Sequence, residues 1–351
     1  HPDIETRYRL LEPVRQYAQE KLHKSGDMES VRDRHLTYYQ YLAEQAKPHL
    51  RAHRQIEWLR RLERELGNIR TALDWSYSED GPMQRVEAGL RIAADLHWFW
   101  QCRNRHLEGF QHLNRLLDLE QQRRGDQQLS QSMCLARAWA LTNTVLLTDH
   151  FGHAIDSQSF PGTLKESLAL FSRLREAGKL GFITTKLVKT VWFNEKPEAV
   201  FVQLERYFGE FEKLGDKFNM AICMMVMGHI SYRMDNDDLA EKYYQKAIIL
   251  CEEIGDRDMT PLLWTRMGHT AYKRGEPTKA RAYALEATNI LKAVEDDLLA
   301  AVTYGYSHLG SLYWKMGDYP QAEKYYQSVI NRAKYQRLHI FSEIYICCIA
   351  M

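Results

Sequence analysis

Proline and glycine are scarce in this sequence, nine and nineteen among 351 residues. Proline removes a helical N–H and glycine costs backbone entropy, so both interrupt long helices. Their scarcity leans the chain toward an all-α fold. Charge of one sign is also lacking: 47 basic side chains stand against 46 acidic ones, a formal net charge of +1. Without a positive excess, counterion release cannot drive binding along the whole chain, so no direct nucleic-acid partner is expected for this region. Only six cysteines are present, at positions 102, 134, 223, 251, 347 and 348. No two form a C-x-x-C pair, and their spacing fits neither a disulfide framework nor a zinc site. Cys223, inside Met220-Ala221-Ile222-Cys223-Met224, reads as a small buried hydrophobe of a reducing compartment. No apolar run approaches the roughly 18 residues of a membrane span, and the start, His1-Pro2-Asp3-Ile4, has no signal-peptide pattern. A cytoplasmic protein without membrane contact is expected. The missing initiator Met suggests an excised fragment or a processed chain.

Catalytic patterns are missing too. The nearest approach to a phosphate-binding loop is Gly178-Lys179-Leu180, with Arg173 where the first glycine belongs and leucine where the hydroxyl belongs. It reads as a helix C-cap. Neither H-E-x-x-H nor G-x-S-x-G occurs. Acidic pairs such as Glu63 with Glu65 follow helical surface spacing. The expectation is a chain that is not an enzyme, with no catalytic residue, no metal site and no cofactor of its own.

What the sequence does contain is repetition, and 351 residues suit two or three domains or one repeat array better than a single core. Three segments align through their turns: Met227-Gly228-His229-Ile230-Ser231-Tyr232-Arg233, Met267-Gly268-His269-Thr270-Ala271-Tyr272-Lys273 and Leu309-Gly310-Ser311-Leu312-Tyr313-Trp314-Lys315. Small residues follow at matching offsets: Ala240, Ala280 and Ala322. A mid-helix glycine costs about 1 kcal/mol against alanine, which is tolerable where a neighbour must come close. Gly275 and Gly317 fall between two helices, where a left-handed residue ends the first; Asp235 stands there in the first segment. Glycine at 8 and 15, alanine at 20, a bulky residue near 24 and a small one at 27 resemble the tetratricopeptide signature. Degenerate pairs precede these: 86–102 with 105–119, 133–148 with 163–177, and 180–193 with 197–214. The second pair is separated by an irregular link containing Gly152 and Pro161-Gly162, a candidate mobile loop. The expected fold is all-α, a right-handed tetratricopeptide-like α-solenoid of about six helical hairpins.

The N-terminal part differs. Residues 6–11 read as one strand, followed by a helix whose apolar face carries Val14, Tyr17, Ala18 and Leu22. A helix over 29–47 follows, with Tyr38, Tyr39, Leu42, Ala43 and Ala46 on its buried side, and then another over 54–77. Two motifs stand out: Arg7-Tyr8-Arg9-Leu10-Leu11-Glu12-Pro13-Val14-Arg15-Gln16-Tyr17-Ala18, and Trp58-Leu59-x-x-Leu62-Glu63-x-Glu65-x-x-Asn68-Ile69-Arg70-x-Ala72-Leu73-x-Trp75. Together they resemble the join between winged helix and sensor in STAND proteins, signal transduction ATPases with numerous domains. The resemblance implies three parts: residues 1–28 as the strand-helix remnant of a winged helix, 29–85 as a helical connector or arm, and 86–351 as a tetratricopeptide-like sensor. It further implies upstream nucleotide-binding and winged-helix domains in the same protein, an inducer whose binding relieves autoinhibition, and self-association on activation. The alternative is a free-standing tetratricopeptide scaffold for protein–protein interaction.

Counting each repeat glycine as position 8, positions 5, 9, 12 and 13 share one face of the first helix of each hairpin. Those positions give the candidate residues of the concave face: Thr185, Lys189, Trp192 and Phe193; Met225, His229, Tyr232 and Arg233; Thr265, His269, Tyr272 and Lys273; Ser307, Ser311, Trp314 and Lys315. The recurring aromatic–cation pairs suit a small anionic molecule or an acidic peptide or protein. The same aromatics suit packing against the next hairpin, and the cations suit solvation. Replacing Arg233, Lys273 and Lys315 together by alanine is expected to weaken anionic inducer binding at least tenfold, as titration calorimetry would show; unchanged affinity would remove this stripe from consideration.

Overall fold

The computed structural model describes residues 11–78, 80–125, 127–148, 160–193 and 196–336. Among them there is no strand, and sixteen α-helices follow one another. α1 (Glu12–Ser25) falls in the stretch expected as the winged-helix remnant, and the arm holds α2 (Met28–Ala46) and α3 (Gln55–Ser76). The middle holds α4 (Met83–Asp95), α5 (His97–Cys102), α6 (His106–Arg124), α7 (Gln131–Thr148) and α8 (Phe160–Arg173). The regular hairpins are α9 (Lys179–Phe193) with α10 (Pro197–Leu214), α11 (Lys217–Arg233) with α12 (Asp237–Ile254), α13 (Thr260–Lys273) with α14 (Pro277–Ala293), and α15 (Leu299–Lys315) with α16 (Tyr319–Gln336). The all-α repeat expectation therefore holds. Most of the N-terminal strand expectation, and residues 149–159 of the expected link, fall outside the described residues.

The repeat signature is a packing code. A Cβ on Gly228 would stand 2.7 Å from the ring of Tyr244, and one on Gly310 would stand 2.8 Å from the ring of Tyr326. The glycine at position 8 is thus the socket for the bulky residue at position 24 of the partner helix. In the middle hairpin position 24 is Ala284, and Leu312 of the next repeat fills the socket at Gly268 instead. Ala240, Ala280 and Ala322 are fully buried where the two helices cross. Gly275 and Gly317 adopt φ of +78° and +75°, and Asp235 takes the same left-handed turn at +58°.

Several local expectations need correction. The predicted helix over 86–102 breaks at Leu96 into α4 and α5, and its second member runs on to Arg124. Pro161-Gly162 belongs to the first turn of α8 and not to the link, a position where the missing proline N–H costs nothing. Gly178 lies in a short 3-10 turn that leads into α9, so it is no C-cap. On α2, Leu36 takes the buried slot expected for Tyr38, which is exposed. On α1, Val14 and Tyr17 stand in solvent.

The second N-terminal motif proves to be the joint between arm and array. Trp58, Leu59, Leu62, Ile69, Ala72 and Leu73 are buried. The polar members reach across helices: Glu65 accepts from the Tyr39 hydroxyl at 2.8 Å, Glu63 pairs with Arg105 at 2.6 Å, and Arg70 grips Glu108 at 2.6 and 2.9 Å. The Trp75 indole donates to Asp33 at 2.8 Å, and the buried Arg85 binds the same carboxylate at 2.6 and 2.9 Å.

The array curls until its end meets its beginning. α15 packs on α5, and one apolar core joins Leu36, Leu59 and Phe99 to Leu291, Val302 and Leu312. Asp297, buried in the turn before α15, locks this closure. Arg60 of the arm donates to it twice, at 2.9 and 2.8 Å, and the buried Arg103 lies 3.4 Å away. Arg103 also donates to the Asp296 carbonyl at 3.0 Å. Losing the carboxylate would leave the buried Arg103 guanidinium with the Asp296 carbonyl and a Glu63 carboxylate 3.7 Å away, whereas Arg60 is mostly exposed. Asp297→Ala should therefore cost about 3 kcal/mol of unfolding free energy and Arg60→Ala less than about 1 kcal/mol. Urea denaturation measures both, and equal losses would contradict this account of the closure.

Candidate functional site

Closure leaves a cavity of about 460 Å³ between the arm and the first helices of the hairpins. Leu187 and Val188 of α9, Ile222 and Met225 of α11, Leu262 of α13 and Ala301 of α15 supply its apolar wall. Arg51 enters from the turn between α2 and α3, 4.3 Å from the ring centre of Trp98 and 4.2 Å from that of Phe218. Its guanidinium also meets His97 Nε2 at 2.9 Å. Arginine can only donate, so His97 is the neutral imidazole with its proton on Nδ1. Burial, then the charges of Arg51 and Lys47, hold that ring's pKa well below its ordinary value. Arg51 is kept in place by the arm turn: His53 lies against Gly255, where φ is +75° and a Cβ would collide with the imidazole.

Few polar groups face this void, and some lack protein partners. The Trp98 indole N–H and the Thr184 hydroxyl are buried among its lining residues without a hydrogen bond. Asp258 stands beside Met259 in the wall. Burial, then the neighbouring Asp256 charge, push its carboxyl up to about 7, against the pull of Arg51. Asp256 is itself buried and caps α13, accepting from the backbone of Asp258 at 3.1 Å and Met259 at 2.7 Å. An apolar chamber with a few convergent polar groups is what a small-ligand site requires.

The sequence-predicted residues sort into different places. Met225 lies in the cavity wall. His229 and His269 sit further toward the C-termini of α11 and α13, near Arg233 and Lys315 respectively, and all four belong to one cationic surface. Tyr232 is half-buried under the ammonium of Lys273, 4.7 Å from ring centre to Nζ. Lys273 is held by Asp235 at 2.6 Å and Asp237 at 3.1 Å, so it stitches one hairpin to the next. Tyr272 packs on the core, Ser311 is half-buried on α15, and exposed Trp314 lies edge-on to Tyr319 at 4.8 Å. Lys189 lines a separate depression with Gln203, Arg206 and Tyr207. Trp192 is on α9, but its side chain lies outside what the structure describes. Of the dense aromatic stretch at 97–100, Phe99 and Trp100 are core, while His97 and Trp98 serve the cavity.

Sequence reasoning missed Arg51, Phe218, Asp258 and Tyr304, while Trp98 was visible only as part of an aromatic stretch that suits a core as well as a site. The visible signals were a run of small residues, Ala300-Ala301 and Gly305, at the start of α15, and an arginine in the arm turn. Among the described residues no group of three His, Cys, Asp or Glu side chains is placed to hold a metal, and no helix is long and apolar enough to cross a membrane.

Comparison with known proteins agrees with this architecture. The tetratricopeptide repeat profile matches residues 220–293 and, in a second form, residues 306–340. A 114-residue stretch is 39% identical to a putative HTH-type transcriptional regulator of Mycobacterium tuberculosis and to its counterpart in Mycobacterium bovis. That stretch covers 32% of this chain and 12% of the regulator, so the chain spans only a small part of those relatives. Among solved structures, the quorum sensor NprR from B. thuringiensis superposes with a TM-score of 0.51 at 15% identity, over 97% of this chain and 92% of that one. A Rap protein complexed with competence and sporulation factor gives 0.50 at 11% identity, over 88% and 99%. A STAND protein with a tetratricopeptide sensor from Pyrococcus horikoshii gives 0.42 at 13% identity, over 78% and 47%. These likenesses concern the fold. The chain contains tetratricopeptide repeats and is similar to part of a transcriptional regulator.

Asp258 carries a titration test. A carboxyl whose folded pKa is raised stabilises below its ordinary value of about 4 and loses that contribution as pH climbs through about 7. Urea stability should therefore decline across that window, and Asp258→Asn should flatten the decline; Asp256, also raised, leaves a residual slope. An unchanged slope in Asp258→Asn would mean that the carboxyl is ordinarily solvated.

Proposed function

We propose that this chain is the inducer-binding sensor region of a STAND-type regulator, and that the inducer lodges in the cavity between arm and hairpins. One observation carries this reading: Arg51 of the arm and the first helices of four hairpins line a single chamber. A ligand there touches both partners of the closure, so its binding energy can shift their relative arrangement, which is the requirement for any ligand-driven switch. The similarity to an HTH-type transcriptional regulator and the winged-helix-like motif at residues 7–18 support placement beside nucleotide-binding and effector domains of the same protein. The exposed apolar face of α1, with Val14 and Tyr17, suits contact with such a neighbour. In this reading the region performs no chemistry and holds no cofactor. It receives a signal, relieves autoinhibition, and leaves ATP turnover and self-association to the rest of the protein.

Ala301→Phe, which fills the cavity from α15, tests the proposal. Pooled short peptides and medium-chain carboxylates should raise the melting temperature of the native chain. The Ala301→Phe variant should keep its unliganded melting temperature within about 2–4 °C, the equivalent of at least roughly 1 kcal/mol in a chain of this size, and lose the ligand-induced rise. A rise that survives the filled cavity would place recognition elsewhere.

A further inference from the structure

A cluster of inner-surface side chains lies beyond the chamber wall. The first helices of three successive hairpins carry His229, Arg266 with His269, and His308. His229, Arg266 and His308 each lie about one helical turn beyond a cavity-lining residue of their own helix, Met225 and Val226 on α11, Leu262 on α13 and Tyr304 on α15, and His269 lies about one turn further along α13. The continuity is physical, since the ring of Tyr304 meets that of His308 edge-on at 4.4 Å. The patch is therefore the next storey of the chamber wall.

Several of its polar atoms have no protein partner. His269 is nine-tenths buried, with a relative exposure of 7%; its N–H is engaged by the His308 backbone carbonyl, and its Nδ1 has no hydrogen-bond partner. His229 Nδ1 and His308 Nε2 are likewise buried and unpartnered. Arg266 is half-buried and makes no side-chain hydrogen bond or ion pair among the described residues. That is unusual for a guanidinium out of full solvent, where a carboxylate or carbonyl is the rule. The charges that act on the three rings are all cationic: Arg266 on each of them, Arg233 on His229 and Lys315 on His269. Burial first, and these cations second, push His269 and His308 down to about 3, so both rings are neutral near pH 7. A neutral imidazole offers one N–H donor without demanding a counter-charge, and since His269 already uses its own on the His308 carbonyl, His229 and His308 are the rings with one to offer. A fork of guanidinium donors beside those two rings suits an oxyanion.

We propose that Arg266, with His229 and His308, forms an oxyanion subsite beside the buried His269, and that the ligand of the adjoining cavity is an amphipathic anion: an apolar body in the chamber and a carboxylate or phosphate on Arg266. The inference rests on the cavity reading and names the chemistry of what the cavity takes. It also replaces Lys273 as the leading cation of the concave face, because Lys273 is already paired with two aspartates.

The probes are octanoate, octyl phosphate and 1-octanol, which share a tail and differ in the head. Titration calorimetry on the native chain should show one of the two anions binding at least about tenfold more tightly than octanol, the size of a charge-assisted hydrogen-bonded contact. Which anion wins identifies the head group. Arg266→Gln should bring that anion to within about twofold of octanol while leaving octanol itself unchanged; Arg266→Lys, which keeps the charge, should retain part of the preference. Circular dichroism establishes that both variants fold. In the native chain the imidazole NMR signals of His229 and His308 should move with the anion and not with octanol. Octanol binding as tightly as both anions, or a preference that survives Arg266→Gln, overturns the subsite and leaves the cavity standing. Binding of none of the three rejects the cavity reading; acetate and inorganic phosphate titrated against the same imidazole signals then decide the subsite alone, and unmoved signals overturn it too.

Discussion

The carboxylate of Asp297 sits where a helical array stops being a row of hairpins and becomes an enclosure. Hairpin stacking alone is a nearest-neighbour interaction, and an array held only by it stays open. Here a buried aspartate between the last two hairpins receives one arginine from the arm and another from the turn after α5. Chain segments roughly two hundred residues apart are thereby brought together, and the apolar core then runs from the arm to α15 without interruption. A buried ion pair adds little net stability against an apolar substitute, but it tolerates few alternatives in register. The registration of arm against array, and with it the position of Arg51 over Trp98 and Phe218, depends on that pairing.

Enclosure changes what the inner surface can do. On an open superhelix, Leu187, Ile222 and Leu262 would be a shallow stripe facing water. Closed by the arm, they become the wall of a chamber with four groups of mixed character facing it: Arg51, Trp98, Thr184 and Asp258. The same closure desolvates Asp258 and raises its carboxyl toward neutrality. Further along the helices it leaves the Arg266 side chain and one ring nitrogen each of His229, His269 and His308 without a protein partner. Buried polar groups of this kind are costly unless water or another group pairs with them. Under the proposal above, the chamber and the patch take the two ends of one ligand.

The long motif around Trp58–Trp75 shows how a recognisable sequence signature can have a mechanical meaning. Its apolar residues pack beneath the arm, while Glu63, Glu65, Arg70 and Trp75 tie α3 to its neighbours by directed hydrogen bonds. The turn that carries Arg51 and His53 leads directly into this anchored helix.

The primary sequence alone determined the repeat fold, because the tetratricopeptide code is local: Gly228 receives Tyr244 and Gly310 receives Tyr326 within one hairpin, at offsets readable along the chain. It also determined the left-handed turns at Gly275 and Gly317 and the buried face of α3, which follow from backbone sterics and helical period. It placed His229 and His269 on the inner surface by the same periodicity. What only the tertiary structure decided was how far along each helix the useful surface lies and what covers it. Lys273 was legible as an inward cation, but its partners Asp235 and Asp237 belong to the preceding hairpin's turn. Arg51 was legible only as an arm residue, and nothing local sets it beside Phe218 or Asp258. Those juxtapositions arise from superhelical closure, a sum of small rotations between hairpins fixed by contacts too distant in sequence for any periodicity to record.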